Sequence, residues 1–217
     1  MKHVYCICGL GADERIFSKI NWPPDAEVHY LQWLKPERRE PLQHYARRMS
    51  GKIHHPSPIL VGVSFGGMMC VEISKLICVE KIVLISSITH CKQLPLWMRT
   101  CGRLKLDYLL PRGKGHNLRI LSPVQNYFLG AYSEEEKRMA EEYRDKVDPD
   151  FLKWSIHAIL NWKNRFVPEN CYLIHGSDDR VFPTAIVKPT HTIRNAGHFL
   201  VFQRADAVSR VLQSICR

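Results

Sequence analysis

The 217-residue chain predicts an α/β fold: a three-layer sandwich with a mostly parallel sheet of about six strands, helices on both faces and a helical insertion. Three observations predict it. Compact β-branched runs alternate with helical patterns of three- and four-residue spacing. Each run is the right length for a strand buried on both faces, and one of them ends in a serine held between glycines. Strands buried on both faces read as continuous apolar runs, and strands alternating with amphipathic helices specify a parallel sheet.

The elements follow in order. HVYCIC (3–8) is the first strand. GLGADE (9–14) comes next, with Glu14 where a phosphate-binding glycine loop needs its third glycine; a carboxylate there repels phosphate, so a dinucleotide site is excluded. EVHYLQW (27–33) is the second strand, and Leu42, Tyr45, Ala46, Met49 and Ile53 mark a helix after it. PILVGV (58–63) is the third strand, followed by a helix carrying Met69, Ile73, Leu76 and Ile77. KIVLISS (81–87), CYLIH (171–175) and a short run near 190–193 complete the sheet. A last helix with Val208, Val211, Leu212 and Ile215 on one face closes the pattern.

Residues 90–166 offer no strand pattern and divide the chain into a core of 1–89 and 167–217 and a helical cap or lid insertion. Inside it, Ser133 and Glu136 form a capping box, and Asp148 caps a helix that begins on Pro149. Seven Lys or Arg stand against one acid over 90–119, whereas 134–150 carries eight acids and four bases. Such runs read first as solvated helix faces. The basic one, with Arg99, Arg103, Lys105, Arg112 and Lys114, is also a candidate dock for an acidic carrier protein. Trp97, Trp154 and Trp162 are expected to pack among the insertion's helices.

Composition removes several classes of function. No stretch reaches the roughly 18 apolar residues of a membrane span. The N-terminus meets Asp13 and Glu14 before any secretory apolar region, so a cytoplasmic location is expected. The eight cysteines form no C-x-x-C pair and no zinc-type spacing with histidine, and are expected to be reduced thiols without a metal. A net charge of +10 favours acidic partners, but no nucleic-acid motif accompanies it.

The chemistry is carried by ILVGVSFGG (59–67), in which Ser64 leaves a strand and opens a helix between Gly62 and Gly66. That strand–turn–helix setting gives the G-x-S-x-G pattern meaning: it lifts the hydroxyl to the carboxyl edge of the sheet, beside the positive end of the helix starting at Phe65. A serine needs a base. His198 lies in NAGHFL (195–200), on a loop after the last strand, and HGSDDRVFP (175–183) supplies two carboxylates, Asp178 and Asp179. The chain order Ser, Asp, His fits a hydrolytic triad with its members on three strand ends.

Together, CGLGAD (8–13), GVSFGG, HGSDDRVFP and AGHFL resemble the α/β-hydrolase superfamily over nearly the whole chain. The resemblance implies that Ser64 is the nucleophile, His198 the general base and acid, and Asp179 the residue orienting the imidazole. Asp179 lies four residues after His175 and four before Pro183. It implies an oxyanion hole from the backbone NH groups of Leu10 and Phe65, although Cys8 stands where the family carries histidine before Gly9. It also implies that the chain starts at the family's third strand, that no cofactor is needed, and that the substrate is a small-molecule acyl ester, with thioester or amide behind it. A small-molecule receptor keeping the same triad is the alternative. His175 is expected to be structural.

Overall fold

The computed structural model describes residues 1–109 and 121–216. One six-stranded sheet runs through it: β1 (Lys2–Ile7), β2 (Ala26–Tyr30), β3 (Ile59–Val63), β4 (Lys81–Ile85), β5 (Cys171–Gly176) and β6 (His191–Ile193). The spatial order is β2-β1-β3-β4-β5-β6, and each neighbouring pair is parallel. All six strands fall where the apolar runs predict them, and the sheet is parallel throughout.

Side-chain alternation splits the core into two layers. Tyr5, Ile7, Leu60, Ile82, Leu84 and Leu173 point to one face and meet α1 (Leu42–Ser50) and α2 (Phe65–Ile73). Val4, Cys6, Ile59, Val61, Val83, Ile85 and Ile174 point to the other and meet the C-terminal helix. The inner strands β3 and β4 are apolar on both sides because each side is roofed by helices, which explains their continuous runs, whereas the edge strands β2 and β6 are only partly buried.

Between β4 and β5 lie α3 (Leu96–Arg103), α4 (Ser122–Leu129), α5 (Glu134–Lys146) and α6 (Pro149–Leu160), with no strand among the described residues. Ser133 and Glu136 bond reciprocally at the start of α5, and the Asp148 side chain accepts the Phe151 NH at the start of α6. After β5 come α7 (Thr184–Val187), α8 (Leu200–Gln203) and α9 (Ala205–Ile215), the last burying Val208, Leu212 and Ile215.

Trp162 is buried and donates its indole NH to Glu72 at 2.7 Å, and Trp154 donates to the Glu40 carbonyl at 2.8 Å. Trp97 departs from the expected packing: it is 51 % exposed, because its place in the first turn of α3 turns it outward, toward Phe128. The helix after β3 also ends earlier than expected, at Ile73, so Leu76 and Ile77 lie beyond it in a turn. All eight cysteines are free. Among the described residues no helix is long and apolar enough to cross a membrane.

Candidate active site

The chain winds outward from β1 to β2, then returns to place β3 on the other flank of β1. In parallel α/β sheets such a reversal opens a crevice at the carboxyl ends of the strands, where ligands bind. Gly9, which follows β1, and Ser64, which follows β3, meet at this point: a Cβ on Gly9 would stand 3.5 Å from the Ser64 Cβ.

Ser64 adopts φ 52° and ψ −118°, a conformation that costs a non-glycine residue on the order of 1–3 kcal/mol. The fold holds it there from both sides. The Ser64 NH donates to the Ile85 carbonyl at 2.9 Å, and the Ser87 hydroxyl donates to the Ser64 carbonyl at 2.5 Å. The flanking glycines are needed for close approach. A Cβ on Gly62 would strike the backbone of Gly66 and Gly67, and one on Gly66 would strike the carbonyl oxygens of Ile7 and Cys8. The turn is wedged between β1 and α2 with no room for a methyl group.

His198 lies on the loop between β6 and α8. Its Nε2 is 2.9 Å from Ser64 Oγ, and its Nδ1 is 2.9 Å from Asp179 Oδ2. Asp179, on the loop after β5, also accepts the backbone NH groups of Val181 and Phe182 at Oδ1, 2.9 and 2.8 Å away. Burial by itself would raise this carboxyl, but attraction to His198, the hydrogen bond from it and the Phe182 NH outweigh that and hold it below the usual carboxylate range. Phe182 closes the imidazole edge-on, with ring centroids 5.6 Å apart. Asp178, one residue earlier, is exposed and accepts from the Ser177 hydroxyl; Arg180 turns away from it, to the Tyr127 carbonyl and the Tyr132 hydroxyl.

Leu10 and Phe65 both flank Ser64, the first next to Gly9 and the second opening α2. No backbone acceptor among the described residues takes either NH. Cys8 is buried, and desolvation with help from Glu14 and Asp13 pushes its thiol up to about 12, so it stays protonated. Of the five bases at the start of the insertion, Arg103 and Lys105 are exposed and Arg99 is half-buried, while Arg112 and Lys114 lie outside the described residues.

Further residues hold the loops around the site, Gln203 among them without any sequence motif. Gln203 accepts the Gly197 NH at 3.1 Å and donates to the Gly130 carbonyl, tying the His198 loop to the end of α4. The Phe199 NH donates to the Leu129 carbonyl at 2.9 Å. His175 is fully buried near Asp179 and His198, with no hydrogen-bond partner on either ring nitrogen among the described residues. Desolvation, with the His198 charge adding to it and Asp179 opposing it, lowers its pKa to about 4.

The fold is similar to that of a thermophilic esterase from Thermogutta terrifontis, with a TM-score of 0.72 and 12 % identity over 100 % of this chain and 90 % of that one. It is similar also to a lipase-esterase related protein from Clostridium acetobutylicum, with a TM-score of 0.66 and 17 % identity over 99 % and 94 % of the two chains. A bromoperoxidase from Bacillus anthracis gives a TM-score of 0.72 and 15 % identity over 99 % and 91 %. No curated protein matches the sequence. At these identities the structures speak to the fold alone, but the sequence matches the family itself over residues 9–211, and the chain belongs to the alpha/beta hydrolase family.

Proposed function

We propose that the protein is a serine hydrolase that cleaves a small carboxylic ester through an acyl-enzyme. The observation that carries this reading is the unbroken chain from Ser64 Oγ to His198 Nε2 and from His198 Nδ1 to Asp179, each link 2.9 Å long. Ser64 attacks the substrate carbonyl as His198 takes its proton, and Asp179 fixes the tautomer that leaves Nε2 free to accept it. The oxyanion of the tetrahedral intermediate receives the NH groups of Leu10 and Phe65, with the positive end of α2 behind the second. His198 then protonates the departing alkoxide, activates a water on the acyl-enzyme and returns the proton to Ser64. A thioester passes through the same steps with a thiolate leaving group. The described helices α3 to α6 form a cap over the entrance, and the reaction draws on no cofactor. An esterase among the similar folds is in keeping with this reading.

Labelling with a fluorophosphonate tests it, since the probe traps an activated serine as a tetrahedral mimic. The expected result is one covalent adduct on Ser64, together with turnover of short p-nitrophenyl esters that Ser64→Ala abolishes. Folded protein that neither labels nor turns over any ester would leave the fold as a receptor and remove the enzyme reading.

A further inference from the structure

At the amino-terminal end of the sheet, away from Ser64, three histidines meet that lie 26 residues apart in sequence. His3 is on β1, His29 is on β2, and His55 is on the segment between α1 and β3. One ligand atom from each can be chosen so that all lie within 4.8 Å of one another. We propose that His3, His29, His55 and Glu27 form a binding site for a late first-row divalent cation, zinc in the first instance. The inference is independent of the proposed hydrolase activity, since His3 stands roughly 16 Å along the strand from Cys8, five residues at about 3.3 Å each.

Register builds the site. His3 pairs with Glu27 and Tyr5 with His29, so these four side chains leave two adjacent strands on the same face. The distances fit a small tetrahedral ion. Ligands about 2.0–2.1 Å from zinc stand about 3.3–3.4 Å from one another. His3 Nδ1 is 3.3 Å from His29 Nε2 and 3.4 Å from Glu27 Oε2, and Glu27 Oε1 is 3.8 Å from His29 Nε2. His55 lies against His3, with ring centroids 3.5 Å apart and planes 7° from parallel, and since an imidazole lone pair lies in the ring plane, its ring must tilt out of this stack to join the set.

Its outer nitrogen is already committed. His55 Nδ1 lies 2.7 Å from the buried Tyr5 hydroxyl, which leaves Nε2 for an ion; such outer hydrogen bonds fix the ring and tautomer of a metal-bound histidine. Three imidazoles and a carboxylate, with no thiolate, suit zinc and its neighbours rather than calcium or magnesium. His3, His29 and His55 are half-buried, so a path from solvent remains. The expectation of a metal-free chain rested on local ligand spacing, and these ligands are joined only by the topology of the sheet. A bound ion would clamp the edge strand β2 and the α1–β3 segment onto β1.

The test is a calorimetric titration of EDTA-stripped whole protein with zinc chloride, followed by a cobalt(II) titration read in visible absorption. Expected are one equivalent of zinc, a raised thermal midpoint and an intense tetrahedral cobalt spectrum. His29→Gln should weaken binding by at least about 100-fold, and Tyr5→Phe by about tenfold, as for an outer-shell partner. His191→Gln, a histidine remote from the cluster, should bind as wild type does. His198→Gln should keep the equivalent, which separates it from uptake at the Asp179–His198 pair. If His29→Gln fails to fold, His55→Gln, carried on a loop, gives the same reading. No uptake, an octahedral cobalt spectrum, or equal losses in His29→Gln and His191→Gln would show a hydrogen-bonded histidine cluster only and overturn the proposal.

Discussion

His175 should make this protein acid-labile in a pH window of its own. The ring sits at 0 % exposure with neither nitrogen partnered among the described residues, and its folded pKa of about 4 lies below the roughly 6.5 of an unfolded histidine. Between those values the unfolded chain holds a proton that the native one does not, so stability falls as pH falls from 6.5 toward 4. A shift of about 2.5 units corresponds to roughly 3 kcal/mol across the whole window, of which about 2 kcal/mol is lost between pH 7 and pH 5. Asp179, held below the usual range, loses its contribution only further down, as its own carboxylate is protonated. The assay compares wild type with His175→Met by urea unfolding at pH 7, 6 and 5. Met is close in volume and brings no orphaned donor or acceptor into the site. The difference in unfolding free energy between the two proteins should move by about 2 kcal/mol against the wild type on going from pH 7 to pH 5. A pH-independent difference would refute the assignment of a neutral, unpartnered imidazole.

Asp179→Asn should lower kcat for an ester by a factor on the order of 10⁴, while Asp178→Asn costs about tenfold or less; steady-state kinetics on one substrate decides, and a larger loss at Asp178 reverses the assignment. Gly66→Ala drives a methyl group into the Ile7 and Cys8 carbonyls and should destabilise the fold by at least about 2 kcal/mol in denaturant titrations, together with loss of fluorophosphonate labelling. Gln203→Ala releases the Gly197 NH and the Gly130 carbonyl and should reduce kcat about tenfold with KM little changed, as expected for a group that positions His198 without touching substrate.

The inner strands were legible because burial on both faces leaves no room for polar residues: ILVGV and KIVLI carry their location in composition alone. Ser64 was legible for a different reason. Its turn is crowded by backbone on two sides, so only glycine fits at 62 and 66, and steric need writes itself into the sequence. The choice between Asp178 and Asp179 was not available from residue type. It came from the resemblance, and in the fold it follows from loop direction: one carboxylate turns in to His198 and two backbone NH groups, and its neighbour turns out to Ser177. Gln203 and the histidines at 3, 29 and 55 left no motif because their partners are distant in sequence. Trp97 misled, since an aromatic at helical spacing packs inward only if its helix has a neighbour on that side.

The insertion touches three of the loops around Ser64. Arg15 on the oxyanion side donates to Glu142 of α5 at 2.7 Å, and a Cβ on Gly11 would contact Val147 at 3.5 Å. On the acid loop, Arg180 lies over the Tyr127 ring of α4 and donates to the Tyr127 carbonyl. On the base loop, the Gly197 and Gly130 backbones approach closely and Phe199 bonds Leu129. The serine turn is held from the β4 side, through the Ile85 carbonyl and the Ser87 hydroxyl. Ser64 is therefore fixed by the core, whereas the loops of His198 and Asp179 are fixed jointly by core and insertion. A movement of α4 would loosen the His198 loop, so in the proposed function the insertion would bear directly on the alignment of the imidazole with Ser64.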